Sequence, residues 1–177
     1  MIEAKLLGRN AIGVDINSNA IKLSNTNLKF TCQEVSKIFI KQGNANNLLF
    51  IKDESIDLIC THPPYADIIR YSKDIAGDIS HLKYEDFLQA LGKVAAESFR
   101  VLKKGGICAF MIGDIRRKGY VLPLGMNAMQ KFVDAKFRLK EIIIKEQHNC
   151  SSSDYWRGKE RAFFMLAHEY IFILEKL

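Results

Sequence analysis

The sequence predicts an α/β chain: a mostly parallel, doubly wound sheet that ends in an antiparallel C-terminal strand. Three observations lead there. Short apolar runs at residues 11–16, 56–60 and 107–112 each stop at an acid, a proline pair or a glycine, as strands buried on both faces do. A helical period separates such runs, most clearly over 84–102, where Phe87, Leu91, Val94 and Phe99 recur at helical spacing. The last two runs, 139–144 and 163–174, have no helix between them, so they pair antiparallel while the others alternate with helices and run parallel.

Residues 1–7 read as the tail of a helix with Gly8 as its C-cap. The first strand is 11–16, and Asn17 or Ser18 caps the helix carrying Ile21 and Leu28. Asn25 to Asn27 weaken that helix, which is expected to break and resume over 31–36. Strand 38–40 leads to the turn Gly43-Asn44-Ala45. Residues 46–53 form a loop with Leu48, Leu49 and Phe50 tucked beneath it. Strand 56–61 ends in two prolines, which no ladder continues through. Residues 66–83 show no sustained period and read as a long loop with short turns, a length usual for functional loops. Lys103 to Gly106 close the helix at 84–102 with basic residues and glycine. After strand 107–112 come Gly113, Asp114 and the basic loop at 116–119. A helix follows at 122–136, with Pro123 in its first turn.

The chain has 177 residues, 48% hydrophobic and 26% charged, values of one globular domain. No run is long enough to span a bilayer and no leader pattern opens the chain. The four cysteines are scattered without a CxxC pair, so reduced core thiols in a cytoplasmic protein are expected and no metal site. The formal charge of +6 permits a nucleic-acid partner without requiring one.

Four strand ends carry polar or special residues: Asp15, Asn44, Thr61-His62-Pro63-Pro64-Tyr65 and Asp114. Ligands of open α/β sheets bind off the carboxyl ends of strands. A carboxylate there can accept two hydrogen bonds from a ribose diol, and the Asn44 turn suits the edge of an adenine. Two prolines hold the turn after the 56–61 strand rigid and extended, with carbonyls exposed and Tyr65 presented.

With these residues in place, the chain resembles the class I S-adenosylmethionine-dependent methyltransferases, and within them the DNA amino-methyltransferases that modify cytosine N4 or adenine N6. Residues 2–16 resemble the segment after that family's Gly-rich loop, Gly43-Asn44-Ala45 its usual Gly-Asp-Ala, and His62-Pro63-Pro64-Tyr65 its catalytic turn. The resemblance implies a Rossmann-like sheet with S-adenosylmethionine against Asp15, Ile16, Asn44, Ala45 and Thr61. It implies catalysis at His62, Pro63, Pro64 and Tyr65, with DNA as partner. An exocyclic amine is a poor nucleophile, so the turn's task is to hold its hydrogens on fixed acceptors. The base first leaves the stack and lies on Tyr65.

Two departures stand out. His62 replaces an acid, amide or serine. A neutral imidazole has one acceptor nitrogen and a protonated one has none, so activity is expected to fall at acid pH; alternatively His62 faces solvent and backbone carbonyls do the work. The Gly-rich loop and its strand, which resemblance would place between the strands ending at Asp15 and Thr61, do not precede residue 2. The expectation is therefore a single, N-terminally truncated domain at 1–177 whose sheet lacks its first strand, with a partner chain or dimer completing it. RNA guanine N2, a protein glutamine amide and a non-catalytic nucleic-acid-binding remnant are the alternative readings. Arg116, Arg117, Lys118, Tyr155, Trp156, Arg157 and Lys159 are candidates for phosphate or base contact. Asp67, Arg70 and Tyr71 are candidates for closing over the base, and Asp114 is read as a turn cap in preference to a site residue.

Overall fold

The computed structural model describes residues 1–148, 158–160 and 162–177. In chain order these form α1 (Ile2–Leu6), β1 (Ala11–Asp15), α2 (Ser18–Asn27), β2 (Ile38–Gln42), β3 (Ile56–Thr61), α3 (Tyr84–Val101), β4 (Leu102–Ile112), β5 (Ile115–Arg117), β6 (Tyr120–Leu122), α4 (Leu124–Asp134), β7 (Arg138–Glu146) and β8 (His168–Glu175). Short 3-10 turns at Ala66–Ile68 and Ile79–His81 punctuate the long loop after β3.

The core lies on a four-stranded sheet of order β3-β4-β8-β7. β3 and β4 run parallel, with Thr61 opposite Phe110. β8 inserts antiparallel between β4 and β7. The expected antiparallel pairing is present, but β8 begins at His168; residues 163–167 are outside it. Phe110 stacks on Phe132 of α4 at 4.3 Å and tilts against Phe172 of β8 at 5.1 Å. All three rings are fully buried, as are Phe87 and Leu91 of α3. At about 1.5–3 kcal/mol for each large apolar side chain removed from water, this layer is the main favourable term of the fold. β4 crosses from helix to sheet through a bulge at Gly105 (φ +73) and Gly106; a Cβ on Gly106 would lie 2.8 Å from the Lys103 carbonyl.

β1 and β2 form a separate two-stranded parallel sheet. Among the described residues β1 pairs only with β2, and β3 only with β4, so each keeps one open edge on the side where resemblance places a further strand. No residue of α1, β1, α2 or β2 is buried. Ile12, Phe39 and Leu58 are 40%, 53% and 56% exposed, so burial on both faces fails for β1 to β3, while β4 alternates the buried Cys108, Phe110 and Ile112 with the half-buried Ile107, Ala109 and Met111.

The two sheets are joined by the loop after β2. Arg100 of α3 donates to the carbonyls of Leu48 (2.9 Å) and Ile51 (3.0 Å) and grips Glu97, whose other contact is the Leu48 amide at 2.6 Å. Leu48 and Ile51 are buried against Val101, where Val14, Ile56 and Ile59 also meet. Ile51, not Leu49 or Phe50, is the second apolar plug: Leu49 is exposed, and Phe50 lies under the Lys41 ammonium at 4.0 Å. The helix does not resume over 31–36. The basic loop at 116–119 is the tip of a tight β5–β6 hairpin, because Lys118 and Gly119 both take positive φ (50 and 86), the geometry a two-residue hairpin turn requires.

Candidate active site

Asp15 ends β1 exposed, and its Oδ1 accepts the Asn17 amide at 2.7 Å. Asn17 in turn caps α2 through the Asn19 amide. Asn44 follows β2 and uses Oδ1 for an Asx turn with the Asn46 amide (3.1 Å). Ala45 beside it is exposed and Ile16 is half-buried. The loop after β3 folds back over these ends. The Tyr71 carbonyl accepts from Asn17 Nδ2 at 3.2 Å. Gly77 (φ +87) lies so close that a Cβ there would be 2.8 Å from Asn44 Nδ2 and 3.3 Å from the Ile16 side chain. An open cleft of ≈ 640 Å³ lies between the start of α2 at Asn17 and the stretch from Arg70 to Ile75. One loop thus ties the carboxyl ends of β1, β2 and β3 together.

At the end of β3 Thr61 is half-buried, His62 is exposed and Pro63 is buried. Pro64 and Tyr65 are half-buried, and fully buried Ala66 takes a positive φ of 49 that turns the chain sharply back. Tyr65 is not a loose surface ring. Its hydroxyl donates to Glu169 Oε1 of β8, and His62 Nε2 is 3.3 Å from the hydroxyl oxygen. The His62 and Tyr65 rings meet edge-on at 5.7 Å. A Cβ at Gly113 would come 3.2 Å from the Tyr65 ring, so glycine is what lets the ring sit there. Burial first, and then the Glu169 hydrogen bond and charge, push the Tyr65 hydroxyl well above the ordinary tyrosine range, so it stays a neutral donor. Glu169 is 5% exposed, and its Oε2 takes the Lys145 ammonium at 2.5 Å. Burial alone would raise its pKa; hydrogen bonds from Lys145, Tyr65 and Gln147 outweigh that and hold it below the usual carboxylate range.

The other candidates divide. Asp114 caps the start of α4 through the Gly125 amide (2.9 Å) and accepts from Tyr170 at 3.1 Å, which makes it structural. Arg117 is paired with Asp67, pinning the chain just past Tyr65 to the hairpin. Arg116 donates to the carbonyls of Gly119 and Phe164. Neither arginine is an open phosphate contact. Tyr155, Trp156, Arg157 and Cys150 lie outside the described residues. Among the described residues no group of His, Cys, Asp or Glu is arranged to hold a metal, and Cys32, Cys60 and Cys108 are unbridged. No helix among them is long and apolar enough to cross a membrane.

A family model described as DNA methylase matches residues 56–177, the whole span from β3 through the Pro-Pro-Tyr turn to β8. The chain belongs to the DNA methylase family. A second model, an RMKL-like methyltransferase domain, matches residues 2–109. The orphan methyltransferase M.BamHII of Bacillus amyloliquefaciens is 29% identical over 71% of the chain and 40% of its own length. The type II methyltransferase M.MjaVI of Methanocaldococcus jannaschii is 28% identical over 60% of the chain and 53% of its own length. The chain thus spans about half or less of the curated relatives it matches. Among solved structures, a candidate DNA modification methylase from Thermus thermophilus, in complex with S-adenosyl-L-methionine, has a TM-score of 0.55 at 28% identity, over 76% of this chain and 51% of that one. A methyltransferase from Methanosarcina mazei has a TM-score of 0.66 at 18% identity over 99% of this chain and 86% of that one. The fold is the α/β methyltransferase sheet with its antiparallel strand.

Glu169, Lys145 and Gly113 were missed by sequence reasoning. The signal for Glu169 was there: an acid between His168 and Tyr170 in an otherwise apolar strand. Nothing local says which distant side chain it meets.

Proposed function

We propose that this DNA methylase domain transfers a methyl group from S-adenosylmethionine to an exocyclic amino nitrogen of a DNA base, cytosine N4 or adenine N6. The observation that carries this reading is the placement of the Pro-Pro-Tyr turn. It sits at the carboxyl end of β3, and the loop leaving it meets Ile16 and Asn17 just past Asp15 of β1, and Asn44 just past β2.

The residues present fit the cofactor in part. Asp15 is exposed and commits one oxygen to Asn17, so its second oxygen suits a ribose hydroxyl. Asn44 keeps an amide beside Gly77 for an adenine edge, and Ile16 and Ala45 offer apolar contact. Thr61 is the last residue of β3, directly before the catalytic turn. The cofactor, when bound, supplies an electrophilic methyl made reactive by the sulfonium charge, so no metal is called for. Acceptors at His62 and the turn carbonyls, held by Pro63 and Pro64, orient the amine hydrogens so that the nitrogen lone pair points outward. The face of Tyr65, its hydroxyl tethered, receives the extruded base. The formal charge of +6 favours a polyanionic substrate. One further parallel strand between the open edges of β1 and β3 would complete the sheet.

The test is tritium transfer from labelled S-adenosylmethionine into DNA, RNA and protein, with Pro64→Ala as control. Label entering DNA as N4-methylcytosine or N6-methyladenine, and lost in the variant, is the expected result. Label in RNA or protein alone overturns the reading.

A further inference from the structure

We propose that Glu169 is the positioning residue of the catalytic turn: by accepting the hydrogen bond from the Tyr65 hydroxyl it forces His62 Nε2 to be the ring's N–H and leaves Nδ1 as its acceptor nitrogen. The inference rests on the methyltransferase reading only for its effect on turnover.

Hydrogen counting makes the argument. A phenol has one proton to donate and oxygen lone pairs to accept with. Glu169 is a buried carboxylate that can only accept, so the Tyr65 O–H points at it and donates. Lys145 at 2.5 Å keeps that carboxylate ionised, in agreement with the lowered pKa described above. His62 Nε2, 3.3 Å from the phenol oxygen, finds no proton left to accept there. A lone pair on Nε2 would face the phenol's own lone pairs, so Nε2 carries the hydrogen and donates it. Glu169 Oε1 itself is 3.8 Å from Nε2, beyond hydrogen-bond reach, so Tyr65 is the relay. A neutral imidazole protonated at Nε2 has its lone pair on Nδ1, and Nδ1 is then the nitrogen that can accept a hydrogen from a substrate amine. A residue of β8 thereby sets the tautomer of a residue after β3 without contacting substrate.

The experiment is long-range proton–nitrogen correlation NMR on the full chain labelled at histidine nitrogen. It is run at alkaline pH where imidazoles are neutral, with His62 assigned by His62→Asn. The wild type should show Nε2 protonated and Nδ1 bare. Glu169→Gln replaces a pure acceptor by an amide that also donates, so His62 should become a mixture of both tautomers. kcat for methyl transfer should fall by up to about 10²-fold, with KM for the cofactor unchanged. A wild-type His62 protonated at Nδ1 overturns the proposal, and needs no variant to fold. An unchanged tautomer in a folded Glu169→Gln chain overturns it too. The expected tautomers in a chain that methylates no substrate would sustain the positioning role while defeating the methyltransferase reading.

Discussion

Arg100→Met should cost about 3 kcal/mol and loosen the first sheet from the second. Five contacts converge on this guanidinium. The Asp53 pair at 2.5 Å contributes little, because that carboxylate is 71% exposed, and exposed pairs are worth about 0–1 kcal/mol. The bonds to the Leu48 and Ile51 carbonyls weigh more. Their donor is charged and both residues are buried. Such bonds contribute about 1.5–3 kcal/mol each, cut to about 1 kcal/mol each because Arg100 is itself 24% exposed and water can replace it. Glu97 loses a bidentate partner and keeps only the Leu48 amide, for roughly another 1 kcal/mol. For a domain of this size the sum corresponds to roughly 6–12 °C in Tm. Urea unfolding followed by circular dichroism measures it. Arg100→Lys should recover only a minor part, since one ammonium cannot span two carbonyls and a carboxylate. Asp53→Asn should change stability by less than about 0.5 kcal/mol. A loss below about 0.5 kcal/mol in Arg100→Met, or full recovery by lysine, would refute the clamp.

Gly125→Ala places a Cβ 2.5 Å from the Tyr170 ring, which is stacked on buried Phe172 and tied to Asp114. Overpacking should cost about 1–3 kcal/mol despite alanine's better helix propensity, and a stable variant would contradict the packing. The Glu169 carboxyl lies below its ordinary value when folded. Its contribution is therefore present above the unfolded pKa of about 4.3 and lost as pH falls through the folded value. Lys145→Met raises the folded value, so acid unfolding should begin at higher pH; an unmoved acid midpoint speaks against the ion pair. Asp15→Asn keeps the Asn17 contact but not the charge, and should weaken S-adenosylmethionine binding about tenfold or more by calorimetry; equal affinity would remove Asp15 from the site. In hydrogen exchange, β1 and β2 amides should open well before those of β4, because no residue of the first sheet is buried; equal protection would show one cooperative unit.

Much of the candidate site was legible because its markers are local. Proline stops a strand wherever it stands, so residues 63–65 announce a turn. An acid or amide closing an apolar run marks a strand end, as Asp15 and Asn44 do. The β5–β6 hairpin was not legible, since Lys118-Gly119 reads as loop until both residues adopt positive φ. Leu49 and Ile51 have similar hydrophobicity, and only the course of the loop over Val101 decides which is buried.

By itself the sequence determined the alternation of strands and helices, the positions of the strand ends and the rigid Pro-Pro-Tyr turn. Period, caps and prolines act within a few residues and need no partner. The tertiary structure decided what those ends face. It divided the sheet between β1–β2 and β3-β4-β8-β7, tethered Tyr65 to Glu169, and tied Arg117 to Asp67. Such contacts join residues tens of positions apart, and their energy depends on burial and distance, which no local pattern encodes.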